Sequence, residues 1–97
     1  MQRVGYVYIL TNSRHSVLYI GVTSNLITRI HQHQTKVFSS SFTAKYNCDK
    51  LIYWEGFHSI EEAITREKQL KKWNRAWKEN LINTVNSDWK DLSDELI

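Results

Sequence analysis

Residues 6–21 read YVYILTNSRHSVLYIG, and this segment sets the architecture of the chain. Two apolar runs, Tyr6 to Leu10 and Leu18 to Gly21, are rich in aromatic and β-branched residues and are separated by a polar turn. Runs of this kind between turn-forming residues predict the two strands of a β-hairpin. We therefore expect Tyr8 and Tyr19 to lie on neighbouring strands with their phenol groups side by side.

A helix is expected directly after the hairpin. Residues 23–25 are Thr, Ser and Asn, types that favour the start of a helix, and the following segment extends from Leu26 to His33. Arg29 and His33 are four positions apart, so a helix places them one turn apart on the same face.

The remainder of the chain predicts one strand and two more helices. Residues 35–49 are rich in Ser and Thr and show no sustained period, so we expect a mobile loop there. A third strand is predicted over Lys50–Phe57. Ser59 and Glu62 form a capping-box pattern at the start of a helix that ends near Lys72.

A last helix is predicted from Arg75 to Thr84, with Trp77, Leu81 and Ile82 packed inward. Three strands and helices in this order predict an α+β fold, in which helices flank a three-stranded antiparallel sheet.

Length and composition indicate one domain. The 97 residues form a unit over 1–84 and a short acidic tail over 85–97, which either packs on the same domain or trails from it. Cys48 is the only cysteine, which excludes an intramolecular disulfide, and its spacing from the four histidines does not form a zinc site. No run approaches the ~20 apolar residues that cross a bilayer. We expect a cytoplasmic protein without membrane contact.

Positive charge is concentrated in one part of the chain. Residues 1–84 hold twelve Lys or Arg against six Asp or Glu, whereas residues 85–97 hold one Lys against four acidic residues. Six basic residues fall close together and alternate with Trp73 and Trp77: Arg66, Lys68, Lys71, Lys72, Arg75 and Lys78. This composition is typical of a surface that contacts phosphates and stacks on bases, and also of a solvated helix face.

Five blocks of sequence, in order, resemble the GIY-YIG nuclease superfamily, in its small single-domain bacterial branch. Tyr19-Ile20-Gly21 matches the second motif of that family, and Tyr6-Val7-Tyr8 stands where Gly-Ile-Tyr gives the family its name. The other blocks are the predicted helix with Arg29 and His33, residues 42–55, and residues 63–73. The resemblance covers roughly positions 4 to 84 and implies the GIY-YIG endonuclease-like fold.

The resemblance implies a set of five catalytic residues: Tyr8, Tyr19, Arg29, His33 and Glu67. Arg29 would clamp the scissile phosphate with its planar guanidinium. Tyr8 would act as the general base or pass its proton through Tyr19, and His33 would bind phosphate or assist proton transfer. Because a phenol has a pKa of ~10, the scheme requires that pKa to be lowered by a metal ion, Arg29 or Lys45.

Glu67 needs a partner, because the helical period places it on the same face as Ala63 and Leu70. An unpaired carboxylate there would be costly. The residues alone leave two alternatives open: a salt bridge to Arg29 or a nearby lysine, or a divalent cation. The resemblance implies the second, with Glu67 as the ligand of a single Mg²⁺ or Mn²⁺ ion.

Seven further residues are predicted to contact the substrate: Gly21, Thr43, Lys45, Tyr46, Lys71, Lys72 and Arg75. Thr43, Lys45 and Tyr46 would line the approach to the site. Asn74 and Asn80 are both candidates for the asparagine that supports the site in many members of the superfamily, and neither aligns closely with it.

The predicted activity is metal-dependent endonucleolytic hydrolysis of DNA, including structured or single-stranded DNA. Sequence specificity would be low, because the chain contains no separate recognition domain, and a protein partner could supply it. A role in DNA repair or processing follows from this interpretation. Two alternatives remain: a nucleic-acid-binding module of the same fold that has no catalytic activity, and a pure interaction domain.

Overall fold

The computed structural model describes residues 4–96, so Met1 to Arg3 and Ile97 lie outside the described part. Two strands, two α-helices, a third strand and two more α-helices follow one another along the chain, and a short 3-10 helix comes last at Ser93–Leu96. The strands are β1 (Gly5–Thr11), β2 (Leu18–Thr23) and β3 (Lys50–Phe57). The helices are α1 (Leu26–Thr35), α2 (Phe42–Lys45), α3 (Ile60–Lys72) and α4 (Arg75–Val85).

The three strands form one antiparallel sheet in the order β2-β1-β3. The central strand β1 places Tyr8 opposite Gly21 on β2 and opposite Trp54 on β3. The predicted α+β fold and its three-stranded antiparallel sheet are confirmed.

The two faces of the sheet carry separate hydrophobic clusters, because side chains alternate between faces along a strand. Val7 and Ile9 face α3 and α4 and pack with Leu70 and Ile82. Tyr8 points to the other face and packs with residues of α1 such as Leu26 and Ile30. The Tyr8 side chain therefore lies between the sheet and α1.

The three long helices, α1, α3 and α4, each begin at a capping side chain. Asn25 accepts a hydrogen bond from the Thr28 amide at 3.1 Å, and Asn74 accepts one from the Trp77 amide at 2.9 Å. Ser59 accepts from the Glu62 amide at 3.2 Å, and its hydroxyl donates to the Glu62 carboxylate at 3.1 Å. The predicted start of α3 is confirmed. These caps satisfy amide groups that the helix itself leaves without partners.

Two local predictions were wrong. Residues 35–49, expected to be a loop, contain the single-turn helix α2, which Ser41 caps by accepting a hydrogen bond from the Ala44 amide at 3.3 Å. Trp77, expected to pack inward, is 56% exposed, whereas Ile82 is buried. The helical period places Trp77 on a different side of α4 from Ile82.

Residues after α4 run along β3. The Asn86 side chain is buried and donates hydrogen bonds to the carbonyls of Ile52 at 3.0 Å and Lys90 at 2.9 Å. The Leu92 amide donates to the Leu51 carbonyl at 2.7 Å. The segment thus satisfies backbone groups of β3.

Within residues 4–96, no helix has both the length and the apolar character needed to cross a membrane.

Candidate active site

In the hairpin, the ring of Tyr8 lies over the backbone of Gly21 on the neighbouring strand. Tyr8 is almost fully buried at 1% exposure, and Gly21 lies directly opposite it in the sheet. A Cβ atom at position 21 would overlap the Cζ and hydroxyl oxygen of Tyr8. Gly21 therefore provides the space that the Tyr8 phenol occupies.

A chain of hydrogen bonds begins at the Tyr8 hydroxyl. This hydroxyl lies 3.0 Å from Nε2 of His33 on α1, and Nδ1 of His33 lies 2.7 Å from Oγ1 of Thr43 on α2. Thr43 Oγ1 lies 3.2 Å from the hydroxyl of Ser41, which also caps α2. Three separate elements thus hold one imidazole ring in place. Thr43 is buried and contacts this histidine, although it was expected to line the substrate's approach.

Tyr19 completes a cluster of three rings. Its ring centroid lies 6.3 Å from that of Tyr8 and 5.7 Å from that of His33, and the Tyr8 and His33 centroids are also 5.7 Å apart. The prediction that the two phenols lie side by side is confirmed. Tyr19 also stacks on Phe42 at 6.0 Å, so the cluster extends outward to an exposed ring.

Arg29 acts electrostatically on two members of this cluster. Burial raises the pKa of Tyr8 far above its ordinary value, the neighbouring Tyr19 adds to the increase, and the Arg29 charge opposes it. Burial lowers the pKa of His33, and the Arg29 charge lowers it further. The scheme requires a lowered pKa for Tyr8. Arg29 acts in that direction, but loss of hydration outweighs its charge, and the pKa of Tyr8 is raised.

Glu67 extends from α3 toward the same cluster. Its side chain is 15% exposed, and its negative charge contributes to the raised pKa of Tyr8. Of the predicted partners, Lys71 forms the ion pair, with its Nζ 3.2 Å from Oε2. Across residues 4–96, no three or more His, Cys, Asp or Glu side chains come together as a metal site. Glu67 is therefore a single carboxylate beside the rings.

The predicted basic cluster is divided in the folded chain. Lys71 and Lys78 line a cavity of about 340 Å³ together with Tyr19 and Phe42, next to the ring cluster. Lys72 lines a different cavity.

Arg75 has structural partners instead of an open position. Its guanidinium donates to the carbonyls of Ser16 at 2.9 Å and His15 at 2.5 Å, and it pairs with Glu79 at 2.7 Å. Arg75 was expected to contact substrate, and in the folded chain these bonds fasten α4 to the hairpin turn. Asn74, a candidate to support the site, caps α4.

The exposed end of the site is formed by α2. Lys45 and Tyr46, which were predicted to line the approach to the site, are both exposed, and the Lys45 ammonium lies 5.5 Å from the centroid of the Tyr46 ring. Phe42 packs against Tyr46 with centroids 4.6 Å apart. Sequence reasoning missed the roles of Ser41 and Phe42. The signal was a helix-capping serine three residues before Ala44, hidden in a run of three serines.

Comparison with known proteins places this geometry in a family. Residues 4–80 match the family described as the GIY-YIG catalytic domain. A UPF0213 protein of Syntrophus aciditrophicus is 36% identical over 77 residues, which cover 79% of this chain and 87% of that protein. UPF0213 protein CPE1444 of Clostridium perfringens is 38% identical over 81 residues, or 84% of this chain and 85% of that protein.

A similar fold is also known from a solved structure. The solution NMR structure of UPF0213 protein BH0048 from Bacillus halodurans superposes with a TM-score of 0.57 at 29% sequence identity. The match covers 90% of both chains.

Proposed function

The chain belongs to the GIY-YIG catalytic domain family, whose fold is of the nuclease type, and from this premise we propose that it is an endonuclease that hydrolyses phosphodiester bonds in DNA. One observation carries the proposal: a buried tyrosine hydroxyl 3.0 Å from a histidine nitrogen, beside a second tyrosine. The Tyr8 ring packs in the core, whereas its hydroxyl contacts an imidazole, and that contact provides a path for a proton.

Hydrolysis requires a proton to leave the attacking water as its oxygen bonds to phosphorus. Tyr8 stays neutral near pH 7, because its pKa is raised. We assign it a relay role, in which Tyr8 accepts a proton from water while its own proton passes to Nε2 of His33. His33 is available to accept that proton, because burial and Arg29 lower its pKa and keep it neutral.

The relay requires one tautomer of His33. Nε2 accepts from Tyr8 only when the ring proton resides on Nδ1, and Nδ1 then donates to Thr43 Oγ1 at 2.7 Å. Thr43 Oγ1 also lies 3.2 Å from Ser41 Oγ, a contact in which either hydroxyl can donate. Thr43 is thus a positioning residue, which fixes the tautomer of the base without touching the substrate.

Arg29 is assigned to the phosphate. A guanidinium can donate two parallel hydrogen bonds to phosphate oxygens, and it keeps its charge at any working pH. Its charge acts on both Tyr8 and His33, so it lies close enough to stabilise negative charge that develops beside them. Tyr19 packs against both rings and orients them.

GIY-YIG nucleases generally depend on a divalent metal, and Glu67 fits a single Mg²⁺ or Mn²⁺ ion. One half-buried carboxylate, with no acidic or histidine neighbours grouped around it in the described chain, suits an ion that keeps several waters and binds substrate phosphate. It does not suit a site preformed by protein ligands alone. Such an ion would supply positive charge to the phosphate and the leaving oxygen. Lys71, which pairs with Glu67, would then be free to contact the DNA backbone.

The cavity lined by Lys71 and Lys78 supports a nucleic-acid substrate, because two ammonium groups adjoin the proposed reaction centre. Lys45, Tyr46 and Phe42 extend the surface outward. We propose low intrinsic sequence specificity, a protein partner that selects targets, and a role in DNA repair or processing.

A second candidate is a nucleic-acid-binding module without catalysis. The ion pair between Lys71 and Glu67 favours it, because a 3.2 Å contact satisfies the carboxylate without any metal ion. The two candidates differ in what removal of Glu67 does.

The deciding experiment is cleavage of labelled single-stranded, duplex, nicked and branched DNA, and of RNA, with Mg²⁺ or Mn²⁺. We expect Glu67→Ala to abolish cleavage and leave DNA affinity nearly unchanged. Glu61→Ala is the matched control, because Glu61 is an exposed carboxylate at the start of the same helix. Activity that survives in Glu67→Ala would rule out the metal assignment. Binding of DNA without cleavage by the unmodified chain would favour the module.

A further inference from the structure

A second aromatic surface lies on α3 and α4, outside the candidate active site. Trp77 is 56% exposed, and its ring meets Trp73 edge to face with centroids 5.9 Å apart. The Arg66 guanidinium lies 5.3 Å from the Trp73 ring centroid and is itself paired with Glu55 at 3.1 Å. Trp73 is therefore fixed from one side by Arg66, and Trp77 presents much of its indole to solvent.

Two clefts share Trp73 as their common wall. One has a volume of about 290 Å³ and is lined by Trp73, Trp77, Asn80 and Leu81. The other has a volume of about 440 Å³ and is lined by Thr65, Lys68, Gln69, Lys72 and Trp73. An aromatic cleft thus adjoins a polar cleft that holds two ammonium groups.

The ammonium groups of this second cleft are uncommitted. Lys68 and Lys72 are exposed and form no salt bridge to any acidic residue within the described part of the chain. Lys71 and Arg75, by contrast, pair with Glu67 and Glu79. The lining of the second cleft contains no carboxylate, so its charge is positive.

We propose that these two clefts form a nucleic-acid exosite, in which an indole of the Trp73–Trp77 pair stacks on a base and Lys68 and Lys72 contact the adjoining phosphates. The proposal rests on the proposed function, because the strand bound here is a part of the substrate that is not cleaved. Stacking on a tryptophan is tolerant of base identity, and phosphate contacts carry no sequence information. The exosite therefore adds affinity without specificity.

The placement of neighbouring residues explains how one strand could reach both sites. Lys71 and Lys78 line the cavity beside Tyr19, whereas their chain neighbours Lys72 and Trp77 line the exosite clefts. The two lining sets share no residue, yet α3 and α4 contribute residues to both. A strand that leaves the active-site cavity across these helices passes from the first pair to the second.

The test compares short and long oligonucleotides. Fluorescence anisotropy would measure the affinity of labelled DNA of about 4 and about 20 nucleotides, and the same substrates would be used for cleavage. We expect Trp77→Ala to weaken binding of the long DNA roughly tenfold, as for the loss of one stacked base, with no change for the short DNA. Val85→Ala is the matched control, because Val85 is an apolar residue of the same helix with 69% exposure. Circular dichroism would verify that each variant is folded.

The phosphate contacts have a separate test. Replacing Lys68 and Lys72 together by Ala should reduce the slope of log affinity against log salt by about two units for long DNA only. An unchanged slope would overturn the assignment of these two lysines.

Four outcomes would overturn the exosite. Trp77→Ala could leave the long DNA unaffected, or weaken both lengths equally. Sedimentation could show a dimer that this substitution dissociates, which would make the surface a self-interface. Polyglutamate could bind in place of DNA and depend on Trp77, which would make it a protein-docking site. Absence of cleavage together with a length-dependent effect of Trp77→Ala would refute the proposed activity and leave the exosite standing.

Discussion

The two sides of the sheet place functional residues in opposite ways. On the α1 side, the Tyr8 hydroxyl and both nitrogens of His33 have hydrogen-bond partners, and Tyr8 and Thr43 are buried. On the α3 and α4 side, lysines and indoles lie on exposed helix surfaces, and several have no ionic partner among residues 4–96. The first arrangement suits proton transfer, which needs fixed atoms. The second suits a flexible polymer, which needs charge more than precise geometry.

The largest effect should come from removing one oxygen on the buried side. Tyr8→Phe deletes the hydroxyl that contacts His33, so we expect the cleavage rate to fall roughly 10²–10⁴-fold. The broken hydrogen bond should cost about 1 kcal/mol in the free energy of unfolding, the same as in the control. The matched control is Tyr53→Phe. Tyr53 is buried on the opposite face of the sheet, and its hydroxyl donates to Glu55 at 2.6 Å. Its loss should cost about 1 kcal/mol of stability and leave the rate unchanged. Equal rates in Tyr8→Phe and the unmodified chain would return Tyr8 to a packing role.

A methyl group at position 21 should disturb the same side through geometry. In Gly21→Ala the new Cβ overlaps the Tyr8 ring, so the phenol must move away from His33. We expect destabilisation of about 1–3 kcal/mol and a rate loss of about 10²-fold. The control is Gly5→Ala. There the new Cβ would lie 2.7 Å from the Ser59 carbonyl oxygen, and Tyr8 is not among its nearest neighbours. Chemical denaturation and cleavage assays together should show lost stability in both variants and the larger loss of rate in Gly21→Ala.

The positioning role of Thr43 predicts a smaller effect. Thr43→Val keeps the shape of the side chain and removes the hydroxyl that accepts the proposed hydrogen bond from Nδ1–H. We therefore expect a rate loss of about tenfold, in line with the free energy of one hydrogen bond. Thr43→Ser should restore the rate. Nitrogen-15 shifts of the His33 ring would report the tautomer: a proton on Nδ1 in the unmodified chain and in Thr43→Ser, and a mixture of tautomers in Thr43→Val. A pure Nδ1–H form in Thr43→Val would refute the role.

The electrostatics of the buried side set the pH dependence. Because burial and Arg29 lower the pKa of His33 from its ordinary value of 6.5, the neutral ring that accepts a proton persists below pH 6.5. The rate should therefore hold at pH 6.5 and decline only as the pH falls through the lowered pKa. Tyr8, Tyr19 and Thr43 also surround the ring. A kcat/KM profile whose acid limb has its midpoint above 6.5 would exclude His33 as the proton acceptor.

The sequence predicts some parts of the two sides of the sheet better than others, and the reason is physical. The strands, the helix start within residues 23–25 and the cap at Ser59 follow from local patterns, and the structure confirms them. The four-residue helix α2 does not, because one turn leaves no period to detect. The pairing of Thr43 with His33 depends on how α2 docks against α1, which no local pattern encodes. The charge count located the basic helices. It could not show that Lys78 lines the cavity while Arg75 is held by the hairpin turn, because the partners of Arg75 are distant from it in sequence.

The difference between Lys78 and Arg75 can be tested directly, and the expected effects are the smallest of these predictions. Replacing Lys71 and Lys78 by Ala should lower the salt slope of DNA binding by about two units, because both line the cavity beside Tyr19. Arg75→Ala removes the same charge per residue, but its guanidinium is held by Ser16, His15 and Glu79. We expect it to leave the slope unchanged and to cost about 1 kcal/mol of stability. Anisotropy titrations across a salt series, paired with thermal unfolding, would separate the two. If Arg75→Ala lowers the slope as each lysine does, then the guanidinium leaves the hairpin turn when DNA binds, and the open surface extends further than the free protein indicates.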